Sequence, residues 1–274
     1  MFKQTYHILS DIHLEHNSQI TSLKSLINVH KQLKRNGYSP SDPQNASKIL
    51  IMAGDIGYPT DEHYWLFLRD CANIYKHVIC IPGNHEYYNQ YFNIDQINSI
   101  IQQKSLEIFN DNHNFHYLNN SCVTLNGIKY IGTTLWSQLN PIFKRDIVLQ
   151  LNDFNYIKLK HLKKLTFDEY NNLHQRDLAW LTNEIETTEN SNFVVITHHL
   201  PSSKLNHPKY KNSTINSAFS TNLDHLIKSK LWIAGHTHTH ITKLINNTNI
   251  VVNPLGYINE CKYCQIYEIT IDFD

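Results

Sequence analysis

Lys48-Ile-Leu-Ile-Met-Ala-Gly-Asp55 is an unbroken apolar run of strand length that stops at a glycine and delivers a carboxylate. Such a run reads as a strand buried on both faces, the kind that a parallel sheet between helices contains. Residues 5–9, 77–81, 193–197 and 231–234 are of the same type, short, rich in Ile and Val and bounded by turn residues. Each ends in polar residues: Ser10-Asp11-Ile12-His13, Gly83-Asn84-His85-Glu86, His198-His199 and Gly235-His236-Thr237-His238. Between the first three strands, residues 20–35 and 63–75 repeat apolar side chains at three and four positions, as in Leu23, Leu26, Ile27 and Leu33. The front of the chain is therefore βαβαβ, and residues 94–109 add a helix with Ile97, Ile100, Ile101 and Ile108 inward.

Farther along, residues 123–125 and 128–133 flank Asn126-Gly127, a pair suited to a tight hairpin turn, and a second sheet begins there. Residues 239–245, the turn Asn246-Asn247, 250–252 and 265–271 alternate enough to predict an antiparallel meander. The expected architecture is α/β, a four-layer αββα sandwich of two mixed sheets, with polar clusters at the strand C-terminal ends. One domain is expected over 1–274. Residues 136–171 break both periods and carry Lys144, Arg145, Lys158, Lys160, His161, Lys163 and Lys164, which reads as a locally basic, cap-like insert. A helix over 171–187 follows, with Leu173, Leu178, Leu181 and Ile185 inward.

Bulk composition narrows the partners. Twenty-four Lys plus Arg balance 24 Asp plus Glu, so no basic excess advertises nucleic acid or an anionic membrane. Residues 1–5 lack the pattern of a secretory signal, and no apolar run is long enough to span a bilayer. Five cysteines, an odd and sparse set, point to reduced thiols, including Cys261 and Cys264, whose CxxC spacing stands without a second pair. A soluble, cytoplasmic protein is the expectation.

Strand ends of an α/β sheet open onto a common crevice, so clusters more than two hundred residues apart can converge. Asp, His and Asn ligands suit borderline divalent or mixed-valence ions, manganese, iron, zinc or nickel, and disfavour a thiolate knuckle. Eight candidate contacts imply two ions with one carboxylate shared. Any single cluster has an ordinary reading: Asp-x-His and Gly-Asp are common at strand ends, and Gly-Asn-His-Glu can be a capped turn. Five in one chain, all after strands, favour a metal site.

In this order the clusters resemble the calcineurin-like, binuclear metallophosphoesterases, whose series is DxH, GD, GNH(D/E), a His after a strand, and GHxH. The resemblance implies that Asp11, His13 and His238 hold one metal and Asn84, His198 and His236 the other, with Asp55 between them. It also implies that His85 is no ligand but contacts the phosphate and the leaving-group oxygen, which makes His85, Asn84 and Asp55 the catalytic set. Paired ions about 3.5 to 4 Å apart would turn a bridging water into the in-line nucleophile, and a protonated His85 would serve the departing alkoxide. A carboxylate partner would raise the pKa of His85, and either Glu86 or Asp61 could be that partner.

Further contacts follow more loosely. His199 is expected to support its neighbour or touch phosphate, His174 to face the crevice from its helix, and Arg145 to be a source of an arginine for the substrate. His240 reads as strand surface, His7 as a core imidazole with a hydrogen-bond partner, and Tyr257 as a rim residue. With four arginines in all and none in the Gly-Asp or Gly-Asn-His stretches, a dedicated phosphoprotein phosphatase is disfavoured. Small phosphomonoesters, phosphodiesters or nucleotides remain. A nuclease or cyclic-nucleotide phosphodiesterase, and a metal-binding interaction scaffold without catalysis, are the alternatives.

Overall fold

The computed structural model describes residues 1–110, 113–189, 191–210, 212–258, 260 and 265–274. Cys261 and Cys264 lie outside the described residues. The first sheet has the order β11-β1-β2-β3-β4, built from β1 (Phe2–Leu9), β2 (Ile49–Ala53), β3 (His77–Ile81), β4 (Phe115–Tyr117) and β11 (Tyr267–Phe273). β1 to β4 are parallel, and β11 closes the edge antiparallel to β1. The second sheet has the order β5-β6-β7-β8-β10-β9, from β5 (Ser121–Leu125), β6 (Ile128–Thr133), β7 (Phe193–Thr197), β8 (Leu231–Ala234), β9 (Ile241–Ile245) and β10 (Thr248–Val252). β6, β7, β8 and β10 run parallel, with β5 and β9 antiparallel at the edges.

Strand alternation sorts the core into layers. Ile8, Ile49, Ile51, Ile79 and Ile81 of the first sheet meet Tyr130, Val194, Ile196, Ile233 and Val251 of the second, which fills the space between the sheets. The opposite faces carry Leu9, Leu50, Met52, Val78 and Cys80 on one side and Ile131, Val195, Trp232 and Val252 on the other. Against the first pack α1 (Leu23–Val29), α3 (Glu62–Ile74) and α4 (Ile94–Phe109); against the second, Leu181 and Ile185 of α7 (Phe167–Glu186). Two mixed sheets lie between helical layers, the expected sandwich.

Four local expectations need correction. The helix read over 20–35 is α1 and α2 (Lys31–Arg35), interrupted at buried His30, whose ψ of 72° lets the chain bend so that Leu33 also turns inward. The last strand does not continue a meander: β9 and β10 form a hairpin, but β11 crosses to the first sheet and pairs with β1. The helix expected at 171 starts at Phe167, because Thr166 caps it by accepting from the Glu169 N–H at 3.2 Å. Residues 136–171 are not without regular structure: they hold α5 (Lys144–Gln150), α6 (Asp153–Tyr156) and the first turn of α7. The two short turns are as read, with Asn126 and Gly127, then Asn246 and Asn247, all at positive φ.

Candidate metal centre and active site

Parallel pairing makes β1, β2, β3, β7 and β8 end at one edge of the sandwich, and the chain there is cross-tied. Asp11 N donates to Gly54 O at 3.0 Å, Gly235 N to His198 O at 2.9 Å and Leu255 N to Ser10 O at 2.9 Å. Space is tight: a Cβ on Gly54 would come within 2.6 Å of His198 Nδ1, and one on Gly83 within 2.7 Å of Asp55 N. Asp11, His13, Asp55, His236 and His238 all take positive φ, between 46° and 69°. L-residues seldom adopt that conformation, and five together at one edge are the mark of a functional site.

Ligand atoms gather in overlapping groups, among them Asp11 with His13 and His238, and Asp55 with His198 and His236, joined by His13 with Asp55 and His85, the atoms of each within 4.8 Å of one another. Asn84 joins the second through Oδ1, 3.1 Å from His198 Nε2, while its Nδ2 donates to the Tyr88 hydroxyl at 3.0 Å. That donation settles which end of the amide faces the centre: the oxygen. His199, by contrast, turns away, with Nε2 3.1 Å from the Tyr170 hydroxyl and its ring 4.2 Å from that of His236, so it props His236 rather than facing substrate.

Cations fit this donor set. His13 Nδ1 meets Glu15 at 3.0 Å, His238 Nδ1 meets Glu260 at 2.7 Å and His198 Nδ1 meets the Ala53 carbonyl at 2.8 Å. Each acceptor takes the Nδ1 proton and leaves the Nε2 lone pair pointing inward, the arrangement that prepares histidines for a metal. His13 Nε2 and His238 Nε2 consequently face each other 3.0 Å apart, and the buried Nε2 of half-buried His236 has no hydrogen-bond partner among the described residues. Burial raises the Asp55 pKa, but His198, His85 and His13 outweigh it and hold the carboxyl well below its usual range. Burial likewise lowers His198, but Asp55 overrides it and lifts the imidazole to about 10. The carboxylates thus demand positive charge at the spot where the ligand atoms converge.

His85 stands beside the cage. Its Nδ1 pairs with Glu15 Oε1 at 2.8 Å, its backbone N–H donates to Asp55 Oδ1 at 2.9 Å, and its ring stacks on Tyr88 with centroids 4.2 Å apart. Burial lowers its pKa, but Asp55 and Glu15 more than compensate and raise it to about 9. Glu15 itself, pushed up by burial, is held at about 2 by His13 and His85.

The partner of His85 is therefore Glu15, neither of the two carboxylates expected. Glu86 accepts the backbone N–H groups of Asp55 at 3.0 Å, Ile56 at 2.8 Å and Gly83 at 2.7 Å, binding two strand-end loops together. Asp61 lines a separate groove with Trp65 and Arg69. Glu15 follows His13 by two residues and shares its loop, but no motif in the sequence marks it.

A cavity of about 530 Å3 opens over the centre. Asp55, Asn84, His85, His236 and His238 form its floor; Gln150, Leu151, Asn152 and Asp153 form one wall, and residues between 206 and 219, among them Tyr210 and Phe219, another. Tyr257 and Glu260 stand at the rim, the first as expected from the sequence. Like His199, the other two candidate substrate contacts do not line the cavity. His174 is fully buried, its Nδ1 bonded to the Trp136 carbonyl, and Arg145 is exposed on α5 and absent from the cavity lining. His240 is exposed and bonds Asn253 at 3.0 Å, and His7 is a buried imidazole between Tyr75 and Glu268.

A family model for calcineurin-like phosphoesterases matches residues 5–240. The chain belongs to that family. A viral relative, the uncharacterized protein L509 of Acanthamoeba polyphaga mimivirus, is 31% identical over 96% of this chain and 97% of its own length. Among solved structures, the phosphopantetheinyl hydrolase of Mycobacterium tuberculosis superposes with a TM-score of 0.65 at 16% identity, over 94% of this chain and 91% of that one. A dimetal phosphatase from Danio rerio does so at 0.52 and 13% identity, over 97% and 91%. At such identities the likeness concerns the fold. This calcineurin-like phosphoesterase is a metal-dependent hydrolase of phosphoric esters. Among its described residues no helix is long and apolar enough to cross a membrane.

Proposed function

We propose that the protein hydrolyses a small phosphomonoester or phosphodiester by in-line attack of water, with two divalent ions, manganese being the first to try, held by Asp11, His13, His238 and Asp55 and by Asp55, Asn84, His198 and His236. Ions so placed would acidify a water and neutralise charge on the phosphoryl oxygens. The protein's own part is positional and acid–base. Asp55 stands between the two ligand groups, and Asn84 presents its oxygen because Tyr88 takes its amide hydrogen. His85, its Nδ1 paired with Glu15, is placed to donate to the leaving oxygen as the ester bond breaks.

The observation that carries this reading is the Glu15–His85 pair, beside both ligand groups, with Glu15 buried behind His85 and His85 lining the cavity. A scaffold that merely bound metal would need no such acid. The cavity's volume suits a compact ligand, which favours small phosphorylated substrates. Buried, unpaired Cys71 and Cys80 fit a reducing, cytoplasmic setting.

Manganese-loaded protein is to be assayed on p-nitrophenyl phosphate and its bis ester, beside His85→Ala. Hydrolysis that falls about 10^2- to 10^4-fold in the variant at unchanged metal content is expected. Inactivity of the wild type with every divalent ion would transfer the site to the scaffold reading, and a faster bis ester would select the diesterase.

A further inference from the structure

One carboxylate in the cavity stands outside the ligand groups, though it touches Asn84. Asp153, the first residue of α6, is 2% exposed and lines the same space as His85 and His236. Its Oδ2 accepts the Tyr88 hydroxyl at 3.3 Å, and the Tyr88 oxygen accepts Asn84 Nδ2 at 3.0 Å, a chain leading from the wall to the metal centre. Its Oδ1 is buried and has no hydrogen-bond partner among the described residues. An unpaired buried carboxylate oxygen is costly, and native folds keep few without a use. The flanking wall residues Gln150, Leu151 and Asn152 bring no cation to it.

We infer that Asp153 is a specificity-determining residue whose Oδ1 accepts an O–H or N–H of the leaving group, so that the site selects phosphoesters carrying a hydroxyl or amino group beyond the ester oxygen. The inference rests on the phosphoesterase reading for what lies on the floor of the cavity. His85 serves the ester oxygen itself, and Asp153 the donor farther along the same arm. Sites built to accept a hydrogen bond reject ligands that lack the donor more sharply than apolar pockets reject a missing methylene, because the acceptor is left unpaired. The same carboxylate, through Tyr88, also keeps Asn84 oriented, so its two oxygens have separable duties.

Binding of non-hydrolysable phosphonates to the manganese-loaded protein separates them. Calorimetry is to compare 2-aminoethylphosphonate and 2-hydroxyethylphosphonate with ethylphosphonate. At least one donor-bearing ligand should bind about tenfold tighter than ethylphosphonate, and the stronger of the two identifies the donor. Asp153→Asn keeps an oxygen for Tyr88 but turns a donor into the cavity, so the preference should collapse to about onefold with ethylphosphonate affinity little changed. Tyr88→Phe, which removes the link to Asn84 but leaves Oδ1, should weaken all three ligands alike and preserve the preference. Equal affinities in the wild type, or an Asp153→Asn variant that weakens all three equally, would overturn the assignment. Because no turnover is involved, absence of phosphatase activity would count against the proposed function and leave this ratio readable.

Discussion

The floor and the wall of the cavity are built in opposite ways. The floor hangs on five parallel strand ends, those of β1, β2 and β8 in left-handed backbone, cross-tied by main-chain hydrogen bonds and by Glu86, with glycines where no Cβ fits. The wall comes from the C-terminal end of α5, from α6 and from a run of short 3-10 turns between 203 and 218, with half-exposed Tyr210. A rigid floor can hold charged ligands at fixed separations, which metal chemistry requires. A wall made of short elements can change side chains without disturbing the sheets, which is where selectivity is expected to reside.

The largest effect should come from the floor. Asp55→Ala removes the carboxylate that the proposed cage shares between its two ions and should lower kcat by about 10^4-fold, with the metal content falling too, as initial rates and metal analysis would register. Loss of rate with full metal content would make Asp55 a substrate residue rather than the shared ligand. Next, Glu15→Gln weakens support for both His13 and His85. Activity or metal affinity should drop about 10- to 100-fold, and the loss should be greater on an alkyl phosphate than on p-nitrophenyl phosphate, whose leaving group needs little protonation. Equal losses on both substrates would confine Glu15 to metal holding.

The wall should respond differently. Tyr210→Ala is expected to raise KM by about three- to tenfold with kcat and metal content held, since it removes contact area but no charge; a matching fall in kcat would place Tyr210 in the chemistry. Smallest of all is an effect outside both regions. Burial, then neighbouring His77, lowers the His116 pKa to about 4. Between pH 6.5 and 4 the unfolded chain takes up a proton that the native His116 refuses, so stability falls as the pH drops through that window. Thermal melts of His116→Gln should lose slightly less between those pH values than the wild type, and identical slopes would remove His116 from the account.

The same division marks what the sequence disclosed. The convergence of the Asp, His and Asn clusters was legible because each follows an apolar run, and the run's end fixes which edge of the sheet it occupies. Glu15 was not, since nothing in Leu14-Glu15 tells whether the carboxylate turns inward. Asp153 was hidden for another reason: α5 and α6 are too short for a helical period, so residues 136–171 gave no face to read. The alternation of β11 announced a strand but not its partner, because the crossing to β1 is a long-range choice that period cannot encode. Thr166-x-x-Glu169, in contrast, is a visible helix start that could have placed α7 correctly.

Metal titration of the chelator-stripped protein, followed by calorimetry for wild type and Asp55→Ala, tests the shared-carboxylate cage most directly. The wild type should take up about two manganese ions per chain, and the variant should lose the second or bind both far more weakly. Uptake of no ion, or two ions bound equally well without Asp55, would contradict it.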